Sequence, residues 1–281
     1  SFVETEDILN TFEGLIKNIL FEAKGVNIDR IPRMTYEEAM KTYGTDKPDI
    51  RFENKIKNLE TVCKGKGFNV FDSSETVLGI VVPNGGEFSR KQIDNLTDWI
   101  KRPQIGATGM IYCKFNNGGQ YKSSVDKFFN QDSLKEWKTT SEANEGDMLL
   151  ILAGDTKSTI SAIGNLRLEV GERLNLRDPN TYKPIWITDF PLFEWDEKNN
   201  RYHAMHHPFT SPKQEDVKLL KSDPKSVKSN TYDMALNGVE IGGGSIRIHN
   251  KQLQKEVFNL LGFSDEEAEE KFGFLMEAFE Y

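Results

Sequence analysis

Two carboxylates in the last third of the chain stand where they can act together. Tyr232-Asp-Met-Ala-Leu236 and Val239-Glu-Ile241 flank Asn237-Gly238, a pattern that predicts a β-hairpin with a two-residue turn. That turn sets Leu236 opposite Val239 and Ala235 opposite Glu240. Side chains alternate between faces, so Asp233, Ala235, Glu240 and Gly242 share one face, with Asp233 and Glu240 as diagonal neighbours. Close carboxylates repel unless a proton or cation lies between them. A hard ion such as Mg²⁺ takes carboxylate oxygens together with substrate phosphates. The plain alternative is two solvated carboxylates on an exposed sheet face.

Gly242-Gly-Gly244 and Ser245-Ile-Arg-Ile-His249 come next. Glycines inside a strand weaken it and mark a bulge or a close approach to the backbone. A one-residue bulge there turns the register and brings Arg247 onto the Glu240 face. An arginine beside a carboxylate pair suits bidentate recognition of an anionic ligand. A bent surface strand with Arg247 in an ordinary salt bridge explains the same residues. His203-Ala-Met-His206-His207-Pro-Phe-Thr-Ser-Pro212 holds three of the chain's 4 histidines. Adjacent histidines point opposite ways in extended backbone, so they make a poor pair of ligands for one metal. No cysteine or third ligand lies nearby, which argues against zinc. One histidine can hydrogen-bond a carboxylate substrate while the other serves structure.

The elements that must hold these groups are legible in outline. Thr5 reads as an N-cap, followed by Ile8, Leu9, Phe12, Leu15, Ile16, Ile19 and Leu20 at helical spacing, with Gly25 just past the end. Thr35 with Glu38 predicts a capping box for a short helix ending at Gly44. Gly44-Thr-Asp-Lys-Pro-Asp-Ile-Arg51 reads as a charged, turn-rich link. From about Phe52 strands and helices alternate: Val77–Val82, Ser89–Lys101, Gly109–Phe115, Asp147–Ala153 and Lys157–Leu174. This predicts a small α/β unit with its own sheet. Arg177-Asp-Pro-Asn-Thr-Tyr-Lys-Pro184 is a second link, and Pro184–Phe190 restarts a strand. Asn250 caps a helix, and Ser264 with Glu267 forms a capping box for the last one, which is expected to run through Phe279-Glu-Tyr281.

Composition narrows the classes. The chain has 281 residues, more than one ordinary domain of roughly 100–200 residues, so two units are expected. Lys plus Arg number 36 and Asp plus Glu 44, a net charge of −8 that argues against a generic phosphate-backbone binder. The strictly apolar run Met148–Ala153 is far short of the roughly 18 residues of a membrane span. Cys63 and Cys113 are too few for a disulfide framework and in no metal spacing, so two reduced thiols in a cytoplasmic protein are expected. The chain opens at Ser1 without a signal region and stops inside a helical pattern, which reads as a piece of a longer polypeptide.

His206-His-Pro-Phe-Thr-Ser-Pro212 and Tyr232-Asp-Met-Ala-Leu-Asn-Gly-Val-Glu-Ile-Gly-Gly-Gly-Ser-Ile-Arg-Ile-His249 together resemble bacterial-type aspartyl-tRNA synthetases. Ile187-Thr-Asp-Phe-Pro191, Tyr43-Gly-Thr-Asp-Lys-Pro-Asp49 and Lys271-Phe-Gly-Phe-Leu275 add to the resemblance, in the family's order over the whole chain. The resemblance implies an α+β fold: a class II antiparallel catalytic sheet with flanking helices, interrupted by an α/β insertion of the GAD type. Residues 1–51 and 181–281 are then two parts of a catalytic core, and 52–180 the insertion. It implies Asp233 and Glu240 near ATP-bound Mg²⁺, with Glu240 also touching ATP. It puts Arg247 on the side-chain carboxylate of L-aspartate and His206 near the same substrate, with His207, Gly242, Gly243 and Gly244 in support. The arginine's charge suits aspartate better than asparagine.

The reaction implied is activation of aspartate to aspartyl-adenylate, then transfer to the 3′ end of tRNA(Asp), in a homodimer of the longer protein. The family's α-phosphate arginine and its closing adenine-binding segment are not among these residues, so the fragment alone is expected to be inactive. Two other readings stand beside this one. One is an adenylate-forming ligase of the asparagine synthetase A kind. The other is a non-catalytic RNA- or protein-docking module, for which Lys64-Gly-Lys66 and Arg90-Lys91 offer only sparse basic patches. Whether the parent also charges the asparagine tRNA is left open by these residues.

Overall fold

The computed structural model describes residues 3–116 and 118–278. The expected helical end at Phe279–Tyr281 lies outside the described residues. In chain order the elements begin with α1 (Thr5–Lys24), β1 (Arg33–Thr35), α2 (Tyr36–Tyr43), β2 (Lys57–Asn58), α3 (Glu60–Cys63) and α4 (Asn69–Asp72). Next come β3 (Thr76–Val82), α5 (Arg90–Ile100), β4 (Ile111–Phe115), β5 (Tyr121–Ser123), α6 (Gln131–Ser141), β6 (Met148–Gly154) and α7 (Thr156–Arg173). The chain continues with β7 (Pro184–Thr188), β8 (Phe193–Asp196), β9 (Arg201–Ala204), β10 (Thr231–Leu236), β11 (Val239–Ser245), α8 (Lys251–Leu260) and α9 (Asp265–Ala278). Two units emerge, Ser1–Glu37 with Pro184–Tyr281, and Glu38–Lys183.

The first unit is built on a four-stranded sheet of order β1-β7-β10-β11. β10 pairs antiparallel with both neighbours, and β1 pairs parallel with β7. One sheet face carries Trp186, Tyr232 and Met234, and these pack with Leu9 and Ile31 while Ile8 and Ile16 of α1 close over them. That contact uses only part of the apolar stripe of α1, since Phe12, Leu15 and Ile19 stay exposed. The helix starts one residue earlier than its sequence suggests. Glu4, not Thr5, is the N-cap, because Glu4 and Asp7 satisfy each other's backbone N–H in a capping box. Gly25 ends the helix with φ of 67°, where a Cβ would be strained. At the other end, Asn250 Oδ1 accepts from Leu253 N–H at 3.0 Å, and Ser264 with Glu267 makes the expected reciprocal box.

The second unit holds a five-stranded sheet of order β2-β3-β6-β4-β5 in which every pair is antiparallel. Both faces are covered, which is why Met148-Leu-Leu-Ile-Leu152 shows no polar alternation. Leu78, Ile80, Val82, Met148, Leu150 and Leu152 meet Ile93, Leu96 and Ile100 of α5 and Ala162, Ile163, Leu166 and Val170 of α7. On the other face Val77, Leu149 and Ile151 meet Phe71, Leu134 and Trp137. Cys63 and Cys113 lie free and buried in this second layer, and burial raises the Cys63 thiol to about 12.

Gly44–Arg51 is not an open link. A Cβ at Gly44 would come within 2.5 Å of the Ile160 carbonyl oxygen and 2.8 Å of Gly164 Cα, so this turn lies directly on α7. Beside it the Arg167 guanidinium, 1% exposed, donates to the carbonyls of Asp49 (2.9 Å), Phe52 (2.7 Å) and Asn54 (2.7 Å). The rings of Phe52 and Tyr43 stand 3.8 and 4.7 Å from its Cζ. Asp49, fully buried, takes three hydrogen bonds from Arg51, one of them from its backbone N–H, and one from Arg177.

Candidate active site on the β10–β11 hairpin

The turn at Asn237-Gly238 forms as its sequence dictates, with φ of 54° and 90° at the two residues. Leu236 pairs with Val239 and Ala235 with Glu240. The register then shifts between Met234 and Ala235, leaving Ile241 as the extra residue of a bulge. Beyond it Met234 pairs with Gly242, Asp233 with Gly243, and Thr231 with Ser245. The bulge was expected in the glycine run and falls just before it. Its consequence is a correction: Gly243, not Gly242, shares the face of Asp233, Ala235 and Glu240. Gly242 turns with Met234 to the α1 side.

Paired residues of a sheet point the same way, so the Asp233 carboxylate stands over Gly243. A Cβ built on Gly243 would lie 2.0 Å from Asp233 Oδ1. On Gly244 it would meet the Tyr232 ring at 3.1 Å, and on Gly242 nothing within 4 Å. The three glycines therefore differ: one makes room for a carboxylate, one for an aromatic ring, and the other is open. Asp233 is 6% exposed, whereas Glu240 is exposed near the turn.

His206 reaches the same carboxylate. Its Nε2 lies 3.6 Å from Asp233 Oδ2, and the Phe190 ring meets its imidazole edge-on at 4.8 Å. His207 turns into its own loop, where Nδ1 accepts from Phe209 N–H at 3.2 Å. Burial, reinforced by the charge of Arg247, lowers its pKa. The two histidines thus face different surroundings, one the Asp233 carboxylate and the other its own loop. His203 is elsewhere, on β9, with Nε2 3.0 Å from Asp196 Oδ2.

Arg247 lies beyond the end of β11, bridged to Thr210. Thr210, 2% exposed, has its Oγ1 3.5 Å from Arg247 Nη1 and 3.3 Å from Ser245 Oγ. Ser211 N–H to the Ile246 carbonyl and Ile248 N–H to the Phe209 carbonyl, 2.8 Å each, clamp this segment from both sides. Neither Thr210 nor Asp189 is assigned a role by the sequence patterns. Asp189 adopts φ of 59° immediately after β7 and pairs with Lys213 of the same Thr-Ser-Pro-Lys run. Their membership of the quoted blocks was the signal that could have found them.

Among the described residues no group of three His, Cys, Asp or Glu side chains could hold a metal ion. The donor set on the hairpin is two carboxylates, hard oxygen ligands and too few for a closed protein cage. Mg²⁺ characteristically takes one or two carboxylates and completes its shell with phosphate and water oxygens. The residues present fit that ion in company with a nucleotide.

Residues 1–281 match the family of class II tRNA synthetases (D, K and N), and the chain belongs to that family. Within it, the chain is 56% identical over 281 residues to the aspartate--tRNA ligase of Flavobacterium psychrophilum. It is 54% identical over 283 residues to that of Porphyromonas gingivalis and 50% over 283 residues to that of Parabacteroides distasonis. Each match takes in 100% of this chain and 48% of the relative, so the chain spans about half the length of these curated relatives.

Proposed function

We propose that the chain is part of an aspartate–tRNA ligase that activates L-aspartate with ATP and passes it to tRNA(Asp). The observation that supports this reading is His206 set against Asp233, with Glu240 on the same hairpin and Arg247 just beyond its end, within a chain so similar to aspartate--tRNA ligases. Arg247, steadied by Thr210, offers a planar fork to the substrate's side-chain carboxylate. His206 stands beside Asp233. Asp233 and Glu240 would hold the nucleotide's Mg²⁺, which would supply neutralisation of phosphate charge. Such phosphoryl-centre chemistry rests on positioning and charge neutralisation, and no side chain is assigned as a general base. The longer protein is expected to be a cytoplasmic homodimer. No described helix is long and apolar enough to cross a membrane.

ATP–pyrophosphate exchange by the intact parent tests the reading. Exchange should depend on aspartate and Mg²⁺ and be feeble with asparagine. Exchange driven equally well by asparagine, or none with either amino acid, would reject it.

A further inference from the structure

We infer that Gly243 is a positioning residue for the metal-bound nucleotide, because only a residue without a side chain lets the Asp233 carboxylate lie across the β11 backbone. The inference rests on the preceding reading, in which Asp233 serves Mg²⁺ and ATP.

The geometry is local and specific. A methyl on Gly243 would sit 2.0 Å from Asp233 Oδ1, 2.9 Å from its Cγ and 3.3 Å from the Tyr232 carbonyl oxygen. The main obstacle is therefore the carboxylate itself. Gly243 is not among the residues of positive φ, so its backbone conformation is open to alanine. Asp233 has little freedom to yield. It is 6% exposed, it pairs with the fully buried Ile187 on one side and Gly243 on the other, and His206 stands 3.6 Å from its Oδ2. Relief of the overlap requires the carboxylate to move by more than about 1 Å, and displacements of that size lower turnover by roughly 100-fold when they misplace a reacting partner. The bulge at Ile241 completes the arrangement. Were Ile241 paired in a regular register, Gly242 would stand opposite Asp233 and Gly243 would turn to the α1 face.

The experiment compares Gly243→Ala, Asp233→Ala and the double variant in the intact parent protein. Three quantities are read: aspartate-dependent ATP–pyrophosphate exchange against Mg²⁺, Mn²⁺ binding in the presence of ATP by electron paramagnetic resonance, and the melting temperature. Gly243→Ala should lower exchange by roughly 10- to 100-fold, raise the Mg²⁺ midpoint and weaken Mn²⁺ binding. In the Asp233→Ala background the same substitution should change neither Mn²⁺ binding nor melting, because the vacated carboxylate leaves room for the methyl. An unchanged Mg²⁺ midpoint and unchanged Mn²⁺ binding in Gly243→Ala would overturn the inference. So would an equal loss of melting temperature with and without the Asp233 side chain, which marks a merely structural glycine. Exchange in the wild type with no effect of Gly243→Ala rejects this role alone. No exchange in the wild type rejects the ligase reading and this role with it.

Discussion

Arg167 offers the sharpest test of how the second unit is held. Its guanidinium is buried, lies against the Phe52 and Tyr43 rings, and is bonded to three carbonyls. Replacement by Met keeps much of the aliphatic stem and removes the desolvation penalty of the cation, but leaves the three carbonyls without their donor. An orphaned buried polar group costs about 1–3 kcal/mol, and the lost cation–π contact about 2 kcal/mol when desolvated. Set against the penalty relieved, and because such contributions do not add fully, the net loss should be about 3–5 kcal/mol, the range for breaking a buried charged partnership. Arg167→Lys keeps the charge but cannot reach all three carbonyls with a planar fork, and should lose about 2–3 kcal/mol. Hydrogen exchange of the β3 and β6 amides measures this within the whole chain, since those strands form the centre of the same sheet. A loss below about 1 kcal/mol in Arg167→Met, or full rescue by lysine, would show that the carbonyl cage is incidental.

Arg247→Ala in the parent should lower kcat/KM for aspartate by roughly a hundred- to several-thousand-fold with little change for ATP, and Arg247→Lys should recover little. Glu240→Gln should do the reverse and raise the Mg²⁺ requirement; equal effects of Arg247→Ala on both substrates, together with a lowered melting temperature, would reject the recognition role. Burial opposes ionisation of Asp49, but its hydrogen bonds from Arg51 prevail and hold the carboxyl below its ordinary range. The stability this contributes is present above the unfolded value near 3.8 and is lost as pH falls through the depressed one. Asp49→Asn should therefore flatten the acid limb of the stability–pH curve, and an unaltered limb would contradict the pairing. Cys63, raised to about 12 by burial, should resist alkylation at pH 8 until the chain unfolds, so fast labelling under native conditions would contradict its burial. Limited proteolysis should cut near the exposed Asp178–Asn180 and spare 44–52, which packs on α7; early cleavage at Asp46–Arg51 would contradict that packing.

What the sequence disclosed well was local. The Asn237-Gly238 turn, the pairing of Ala235 with Glu240, and the Asn250 and Ser264 caps each depend on residues a few positions apart. The position of the bulge did not follow, because glycine composition marks where a strand can bend but not which residue is left unpaired. Gly44–Arg51 looked like a link because Gly, Pro and Asp are turn formers, and it does turn. Its burial depends on Gly164 and Arg167, more than a hundred positions away, and no short-range pattern announces that contact. Arg167 itself was invisible for the same reason, since backbone carbonyls carry no sequence signature. The site residues became legible only as whole blocks. Spacing alone favoured solvated carboxylates and a structural histidine pair.

The parallel pairing of β1 with β7 also sets an order of events during synthesis. Roughly 150 residues separate the two strands, so closing that contact in an unstructured chain carries the entropy of a very long loop. The intervening unit is one continuous stretch and can fold as soon as it leaves the ribosome. Once folded, it brings residue 51 beside residue 178 through the 2.8 Å bond from Arg51 to the Asp178 carbonyl. The open chain between β1 and β7 then shrinks to about 20 residues, which lowers the closure entropy by about 2 kcal/mol. The segment 1–37 must meanwhile wait with the apolar stripe of α1 uncovered until β7 and β10 are made. Chaperone capture and aggregation are therefore expected to concentrate on α1, and variants that slow folding of residues 38–183 should harm yield more than their equilibrium stability suggests.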